Sequence, residues 1–302
     1  MNITWKKVEL PNGETMGYQE RDGGEDIVIL IHGNMTSSVH WDLVLENMDE
    51  RFKLYAVDLR GFGTSTYHQK ITAIKDFSND VKAFVDTLEI SDFSLVGWSL
   101  GGAVCQQFCA DYPDLCKKLV LLASGSTKGF PFFGTDEKGL PDTTKRLQTI
   151  EEVRHDKGKT AVVQGAYDQG NREVLKMIWD LSIYTNKKPE ADRYEKYVDD
   201  MMTQRNLAET YQALNIFNIS GQSNGLTDGN NQVRNINLPV LILRGENDLV
   251  VSKQMTDEII EDFEGKAEFV ELKNCGHSPL VDDLATLLSH MERFLTRKES
   301  HA

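Results

Sequence analysis

Short apolar runs alternate with amphipathic stretches through the first third of the chain, and this alternation constrains the fold more than any other feature. The runs are bounded by turn residues and have the length of buried strands. They are Asp26–Ile31, Lys53–Val57 and Phe93–Val96. Before the third run, apolar residues recur at helical spacing on one face: Phe77, Val81, Phe84 and Leu88. Strands and helices that alternate in this way predict an α/β fold with a mostly parallel sheet and helices on both of its faces.

A long interruption follows. The apolar run Lys118–Ala123 is separated from the next one, Val240–Leu243, by more than a hundred residues. Because a compact connection between strands is far shorter, we expect residues 126–238 to form an inserted helical segment. Residues 1–125 and 239–302 would then form one core domain. A last strand, Ala267–Leu272, precedes a closing helix with an apolar face of Leu280, Leu284, Leu287, Met291 and Phe294.

Charge and composition exclude several classes of protein. The chain has 33 basic and 47 acidic residues and a formal net charge of −14, which would repel nucleic acid and anionic lipid. Met1–Leu10 contains no apolar segment of a secretion signal, and the longest apolar run is too short to span a bilayer. We therefore expect a cytoplasmic protein without nucleic-acid partners or membrane insertion. The four cysteines form no C-x-x-C pair, so we expect small thiols in the core or in loops.

The strongest local motif is the hexapeptide GWSLGG, which spans residues 97–102 between a predicted strand and a predicted helix. A turn this tight between strand and helix requires small residues two before and two after its central serine, and Gly97 and Gly101 meet that need. The turn exposes the Ser99 oxygen, and it aims the first helical amides, including that of Leu100, at the place where negative charge develops. The context predicts that Ser99 is a nucleophile.

A serine nucleophile needs a base and a group that orients the base. His277 lies in a turn after the last strand, at the sheet edge that also carries Ser99, and is the predicted base. Asp248 follows the strand Val240–Leu243 at the same edge and is the predicted acid. Glu246, two residues closer to the strand end, is the alternative acid. The order Ser99, Asp248, His277 is the one associated with this type of turn.

His32 also ends a strand at that edge and competes for the role of base. The glycine after it allows the loop to turn, so that the backbone amide of Asn34 completes an oxyanion hole with that of Leu100. A histidine hydrogen-bonded to hold this loop explains His32 as well as a direct chemical role does. We therefore leave His32 outside the predicted triad.

Several motifs occur in a fixed order along nearly the whole chain: HGNMTSS, DLRGFGTS, GWSLGG, RGENDLVV and CGHSPL. In this the chain resembles α/β-hydrolases with a cap domain. The HGN segment is similar to that of haloalkane dehalogenases, but those enzymes and the related epoxide hydrolases have an aspartate where this chain has Ser99. A closer resemblance, carried by LLASGSTKGFPFF at 121–133, by residues 213–220 and by GHSPL, is to the intracellular polyhydroxybutyrate depolymerases of bacilli.

Residues and resemblance together predict a serine hydrolase of carboxylic esters that needs no cofactor. No H-E-x-x-H motif and no Cys/His cluster with metal spacing occurs in the sequence, so we expect no metal site. The same triad serves lactonases, C–C bond hydrolases and cofactor-free perhydrolases, and fold alone does not choose among them. A binding protein that retains a hydrolase scaffold is the alternative from another class. It would not need the triad and both oxyanion loops to remain intact.

Overall fold

The computed structural model describes residues 2–136, 138 and 140–297. Its centre is a sheet of eight strands: β1 (Ile3–Glu9), β2 (Thr15–Arg21), β3 (Asp26–Ile31), β4 (Phe52–Val57), β5 (Phe93–Trp98), β6 (Cys116–Leu122), β9 (Val240–Gly245) and β10 (Ala267–Leu272). They lie in the order β1-β2-β4-β3-β5-β6-β9-β10. The six strands from β4 to β10 in this order are parallel, whereas β1 and β2 form an antiparallel extension. The predicted α/β class is confirmed.

Helices cover both faces of the sheet. Alternate residues of β3 enter different cores, Ile29 and Ile31 on one face and Val28 and Leu30 on the other, as the period of two in a strand requires. The helices outside the inserted segment are α1 (Asp42–Asn47), α2 (Ile74–Thr87), α3 (Leu100–Asp111), α9 (Lys253–Asp262), α10 (Pro279–Asp282) and α11 (Leu284–Thr296). The predicted apolar face of α2 packs on the first core.

The closing helix differs from its prediction. Leu280 lies in the short α10, and α11 begins only at Leu284. The break occurs at Asp283, whose backbone is non-helical and whose carboxylate accepts a hydrogen bond from the Thr286 N–H at 3.2 Å. An aspartate in this position caps the start of a helix, so the apolar spacing continues across two helices.

In the residues that the structure describes, the segment between β6 and β9 contains a small hairpin and five α-helices. They are β7 (Phe133–Thr135), β8 (Pro141–Arg146), α4 (Ile150–Arg154), α5 (Thr160–Gln169), α6 (Arg172–Ser182), α7 (Ala191–Met201) and α8 (Leu207–Ile216). Its two ends meet, because the Phe130 N–H donates to the Leu214 carbonyl and the Ile219 N–H to the Thr127 carbonyl, both at 2.9 Å. The chain then returns along α3 through a 3-10 turn at Gln232–Asn235. We call residues 126–238 the cap.

Two further expectations concern the whole chain. All four cysteines, Cys105, Cys109, Cys116 and Cys275, are free and buried, which agrees with the prediction of small thiols in the core or in loops. Within the described residues, every helix is too short or too polar to cross a bilayer.

Candidate active site

Ser99 stands where β5 turns into α3. Its backbone has φ 55° and ψ −113°, a conformation that costs an L-residue conformational energy and is concentrated at functional sites. A Cβ at Gly97 would lie 2.3 Å from the Gly101 oxygen, and one at Gly101 would lie 2.1 Å from the Ile31 oxygen. Both positions must therefore be glycine, as the motif predicted. The strained turn leaves Ser99 half-buried, while both of its neighbours are buried.

The structure brings the predicted base and the predicted acid together. His277 Nδ1 lies 3.1 Å from Asp248 Oδ1 and 3.0 Å from Oδ2. The imidazole is 3% exposed and the carboxylate is fully buried. With Nδ1 bonded to a carboxylate, Nε2 is the ring nitrogen left for another partner.

Asp248 is stabilised in its ionised form. Burial raises the pKa of its carboxyl, but the charge and hydrogen bond of His277 and the N–H groups of Val250 and Val251 outweigh burial, so the pKa lies below its ordinary value. The two backbone N–H groups donate to Oδ1 at 2.8 and 2.9 Å. An aspartate fixed and charged in this way holds a neighbouring imidazole in one tautomer.

Glu246, the alternative acid, points elsewhere. Its carboxylate accepts from the Asn274 N–H at 3.1 Å and pairs with Lys273 Nζ at 3.0 Å. The side chain is 28% exposed. Of the two acids that the sequence left open, the structure places Asp248 beside His277.

Two residues that sequence reasoning missed hold the loop of His277. Trp98 donates from Nε1 to the His277 carbonyl at 2.9 Å, so the residue before Ser99 anchors the loop of His277. Asp282 Oδ2 accepts from the Gly276 N–H at 2.7 Å, and its Oδ1 accepts from the Lys187 N–H of the cap at 3.0 Å. Trp98 belongs to the GWSLGG motif around Ser99. Because a buried indole N–H usually finds a hydrogen-bond partner, this residue could have been recognised as an anchor for a neighbouring loop.

The loop after β3 lies against the nucleophile turn. A Cβ at Gly33 would be 3.4 Å from the Ser99 Cβ, so Asn34 stands close to the serine. Leu100 is the first residue of α3. The two backbone amides predicted to form an oxyanion hole thus belong to segments that flank Ser99, and their role stays a prediction.

His32 holds this loop and does not join the triad. Its Nε2 accepts from the Leu59 N–H at 2.9 Å, and its Nδ1 lies 2.7 Å from the Gly33 carbonyl, to which it donates. Burial lowers the pKa of His32 to about 4, so the ring is neutral at physiological pH. The geometry supports the interpretation of His32 as a brace between the loops after β3 and β4.

The cap contributes side chains to the same loop, and no motif or periodic pattern in the sequence indicates them. Asp200 is buried and its Oδ2 accepts from the Ser37 N–H at 2.8 Å and lies 3.2 Å from His40 Nδ1. Gln204 donates from Nε2 to Asn34 Oδ1 at 2.8 Å. The loop that carries Asn34 is therefore held partly by the cap.

Comparisons with known proteins agree with this architecture. The family model of the alpha/beta hydrolase fold matches residues 26–284, and the chain belongs to that family. A pimeloyl-[acyl-carrier protein] methyl ester esterase from Nitrosomonas europaea is 26% identical over 268 residues, covering 87% of this chain and 92% of the relative. A 2-hydroxy-6-oxononadienedioate/2-hydroxy-6-oxononatrienedioate hydrolase from Paraburkholderia phymatum is 23% identical over 282 residues, covering 91% and 89%.

Among solved structures, an esterase from Exiguobacterium antarcticum is similar in fold. It has a TM-score of 0.73 at 16% identity, and the match covers 97% of this chain and 100% of that one. The predicted α/β-hydrolase fold is confirmed, and the predicted enzyme class, a carboxylic ester hydrolase, agrees with the esterases among these proteins.

Proposed function

We propose that this protein hydrolyses carboxylic esters with Ser99 as nucleophile, His277 as general base and acid, and Asp248 as the group that orients His277. The observation that carries the proposal is the buried Asp248–His277 pair, at 3.0 Å, at the same sheet edge as a serine held at positive φ. Trp98 ties that serine's turn directly to the histidine loop. A binding protein would have no use for this combination.

The reaction proceeds in two acyl transfers. Ser99 Oγ attacks the ester carbonyl carbon while its proton passes to His277 Nε2, and the carbonyl oxygen becomes an oxyanion held by the N–H groups of Asn34 and Leu100. The C–O bond to the alcohol then breaks, and the alcohol leaves with the proton from His277. Water repeats the sequence on the acyl-enzyme and releases the acid. Asp248 stays ionised throughout and stabilises the imidazolium.

The cap limits which esters reach Ser99. Two of its aromatic side chains contact residues next to Ser99 and Asn34: the Trp179 ring is centred 6.3 Å from that of Trp98, and Tyr211 Oη is 4.0 Å from Met35 Sδ. A cover of this kind excludes water and restricts substrate size. Short-acyl esters and the thin chains of 3-hydroxybutyrate oligomers are the substrates proposed, in agreement with the resemblance to polyhydroxybutyrate depolymerases.

C–C bond hydrolysis is the second candidate, because the same triad supports it and one relative is named as a hydrolase of 2-hydroxy-6-oxononadienedioate. The two activities differ in the substrate they require. The rates at which one protein preparation cleaves a dienedioate of that type and p-nitrophenyl butyrate show which activity is the stronger.

The nucleophile is tested by Ser99→Ala. Ester hydrolysis should fall by about 10⁴-fold or more, because no other group replaces the attacking oxygen, while the unfolding midpoint does not fall. A fluorophosphonate should label the wild-type protein once, at Ser99. Turnover by the alanine variant equal to wild type, or an adduct on another residue, contradicts the assignment.

Substrate choice is tested with p-nitrophenyl esters of increasing acyl length, tributyrin, triolein and 3-hydroxybutyrate oligomers. Rates should fall with acyl length, and oligomers should release 3-hydroxybutyrate. Equal rates on tributyrin and triolein would show that the cap does not select by size. If the protein hydrolyses short-acyl esters but releases no 3-hydroxybutyrate, the depolymerase proposal is contradicted and the esterase proposal stands.

A further inference from the structure

One stretch of the cap, residues 200–206 at the end of α7 and just beyond it, docks on the loops that follow β3 and β4. Besides the bonds of Asp200, Thr203 Oγ1 accepts from the Gly63 N–H at 2.9 Å, and the Arg205 N–H donates to the Gly61 carbonyl at 2.9 Å. Asn206 Nδ2 donates to the Arg60 carbonyl at 2.7 Å. This docking segment therefore joins the cap to the core through several hydrogen bonds.

Gln204 is the member of the docking segment that touches the proposed oxyanion loop. Its side chain is buried, and Nε2 donates both to Asn34 Oδ1 at 2.8 Å and to Asn206 Oδ1 at 3.0 Å. Its Oε1 accepts from the Tyr167 hydroxyl at 3.1 Å. Both N–H donors and the carbonyl oxygen of Gln204 therefore have partners. A rotation of the Gln204 amide by 180° would place its oxygen against the side-chain oxygens of Asn34 and Asn206. The orientation of Gln204 is therefore determined by three neighbours.

The Asn34 side chain is held by the cap. Its Oδ1 accepts a hydrogen bond from Gln204 Nε2 at 2.8 Å. The next residue, Met35, has a φ of 61°, and its Sδ lies 4.0 Å from the Tyr211 hydroxyl of the cap. A side chain fixed by a buried amide restricts rotation of the backbone that carries it, so the hydrogen bond from Gln204 constrains the direction of the Asn34 N–H.

We infer that Gln204 is a positioning residue for the oxyanion hole: through Asn34 Oδ1 it fixes the direction of the Asn34 backbone N–H. The inference rests on the proposed ester hydrolysis and extends it by making the cap part of the catalytic geometry. A donor aimed at the oxyanion acts in the transition state and not on the bound ester. Loss of Gln204 must therefore lower kcat and leave KM nearly unchanged.

The test compares Gln204→Met with Thr203→Val, which removes a neighbouring cap–core hydrogen bond to Gly63 and leaves Asn34 untouched. With p-nitrophenyl butyrate, Gln204→Met should lower kcat about tenfold, the size expected for one displaced hydrogen bond, with KM within about twofold. Thr203→Val should change kcat less than twofold. Equal losses in the two variants, or a rise in KM with kcat unchanged, would assign Gln204 a merely structural role and overturn the inference.

A double-mutant cycle with Asn34→Ala tests whether Gln204 acts through the Asn34 side chain. If Gln204 acts through the Asn34 side chain, Gln204→Met should cost less than about twofold in the Asn34→Ala background. The same tenfold loss in both backgrounds would overturn the inference.

Should Gln204→Met fail to fold, Tyr167→Phe takes its place, since it removes only the hydroxyl that fixes Gln204 Oε1. It should lower kcat about threefold at constant KM, and an unchanged kcat would overturn the inference. Wild-type protein with no Ser99-dependent ester hydrolysis would contradict both proposals, whereas an active enzyme indifferent to Gln204 would contradict this one alone.

Discussion

The loops of Asp248 and His277 and the loop of Asn34 lie at one sheet edge but are held by different parts of the molecule. The first two are joined by a hydrogen bond from the Asn247 N–H to the Cys275 carbonyl at 2.9 Å, and Trp98, at the end of β5, holds the His277 carbonyl. The loop of Asn34 receives Gln204 and Asp200 from the cap. The Asp248–His277 pair is thus supported mainly by loops of the core, whereas the loop of Asn34, which His32 also holds from the core, depends in part on the cap.

Substitutions in these two regions should therefore affect different steps of the proposed reaction. A substitution in the core loops should disturb the protonation chemistry of His277. A substitution in the cap should leave that chemistry in place and weaken transition-state binding. Asp282 is the point where the two supports meet, because its carboxylate accepts from Gly276 of the core and from Lys187 of the cap.

The largest effect should come from breaking the core-held pair. Asp248→Asn should lower kcat by about 10⁴-fold, because an amide can stabilise the wrong tautomer of His277. Steady-state kinetics on a short-acyl ester provides the measurement. The matched control is Glu246→Gln, which should stay within about twofold because it loses only a partly exposed pair with Lys273. The reverse ranking would transfer the role of the acid to Glu246.

An intermediate effect, on the pH dependence of stability, is expected from the buried neutral imidazole of His32, which holds the loop of Asn34. An unfolded histidine has a pKa of about 6.5, whereas burial lowers the pKa of His32 in the folded chain to about 4. Below about pH 6.5 the unfolded chain therefore binds a proton that the folded chain does not. This should remove about 2 kcal/mol of stability between pH 7.5 and pH 5.

The measurement is urea unfolding at both pH values for the wild type and for His32→Gln, whose amide oxygen can still accept from the Leu59 N–H. The free energy of unfolding should depend less on pH in the variant by that amount. Identical pH dependence in the two proteins would show that His32 does not titrate as described.

The smallest effect should follow from Trp98→Phe, which keeps an aromatic ring but removes the N–H that holds the His277 carbonyl. The expected loss is about fivefold in kcat, near the net contribution of one hydrogen bond, with little change in KM. Kinetics on the ester used for Asp248→Asn allows direct comparison. A raised KM with kcat unchanged would indicate that Trp98 contacts substrate instead of positioning the base.

Local patterns made the core and the triad candidates predictable. The strands are short apolar runs, and the turn around Ser99 requires glycines that the sequence shows directly. Asp248 and His277 could be proposed because parallel strands bring their carboxyl ends to one edge. Their proximity in space needed only the topology, and topology follows from the alternation of strands and helices.

The support from the cap could not be predicted in the same way. Gln204 lies 170 residues from Asn34, and Asp200 lies 163 from Ser37. Neither stands in a motif or in a periodic pattern, and a polar residue in such a segment usually faces solvent. The break before α11 was missed for a related reason, since it depends on the backbone of Asp283 while the apolar spacing on either side continues.

The meeting of the two ends of the cap has a consequence for how this scaffold can diversify. The segments Thr127–Phe130 and Leu214–Ile219 are hydrogen-bonded to each other where the chain leaves and rejoins the core. The residues between these segments therefore form a closed loop whose two ends are already in contact. Doubling the length of a closed loop costs only about 0.6 kcal/mol. Evolution can therefore exchange the intervening helices, and with them the range of substrates, while the sheet beneath stays the same. A replacement would have to provide anew the polar side chain that reaches Asn34.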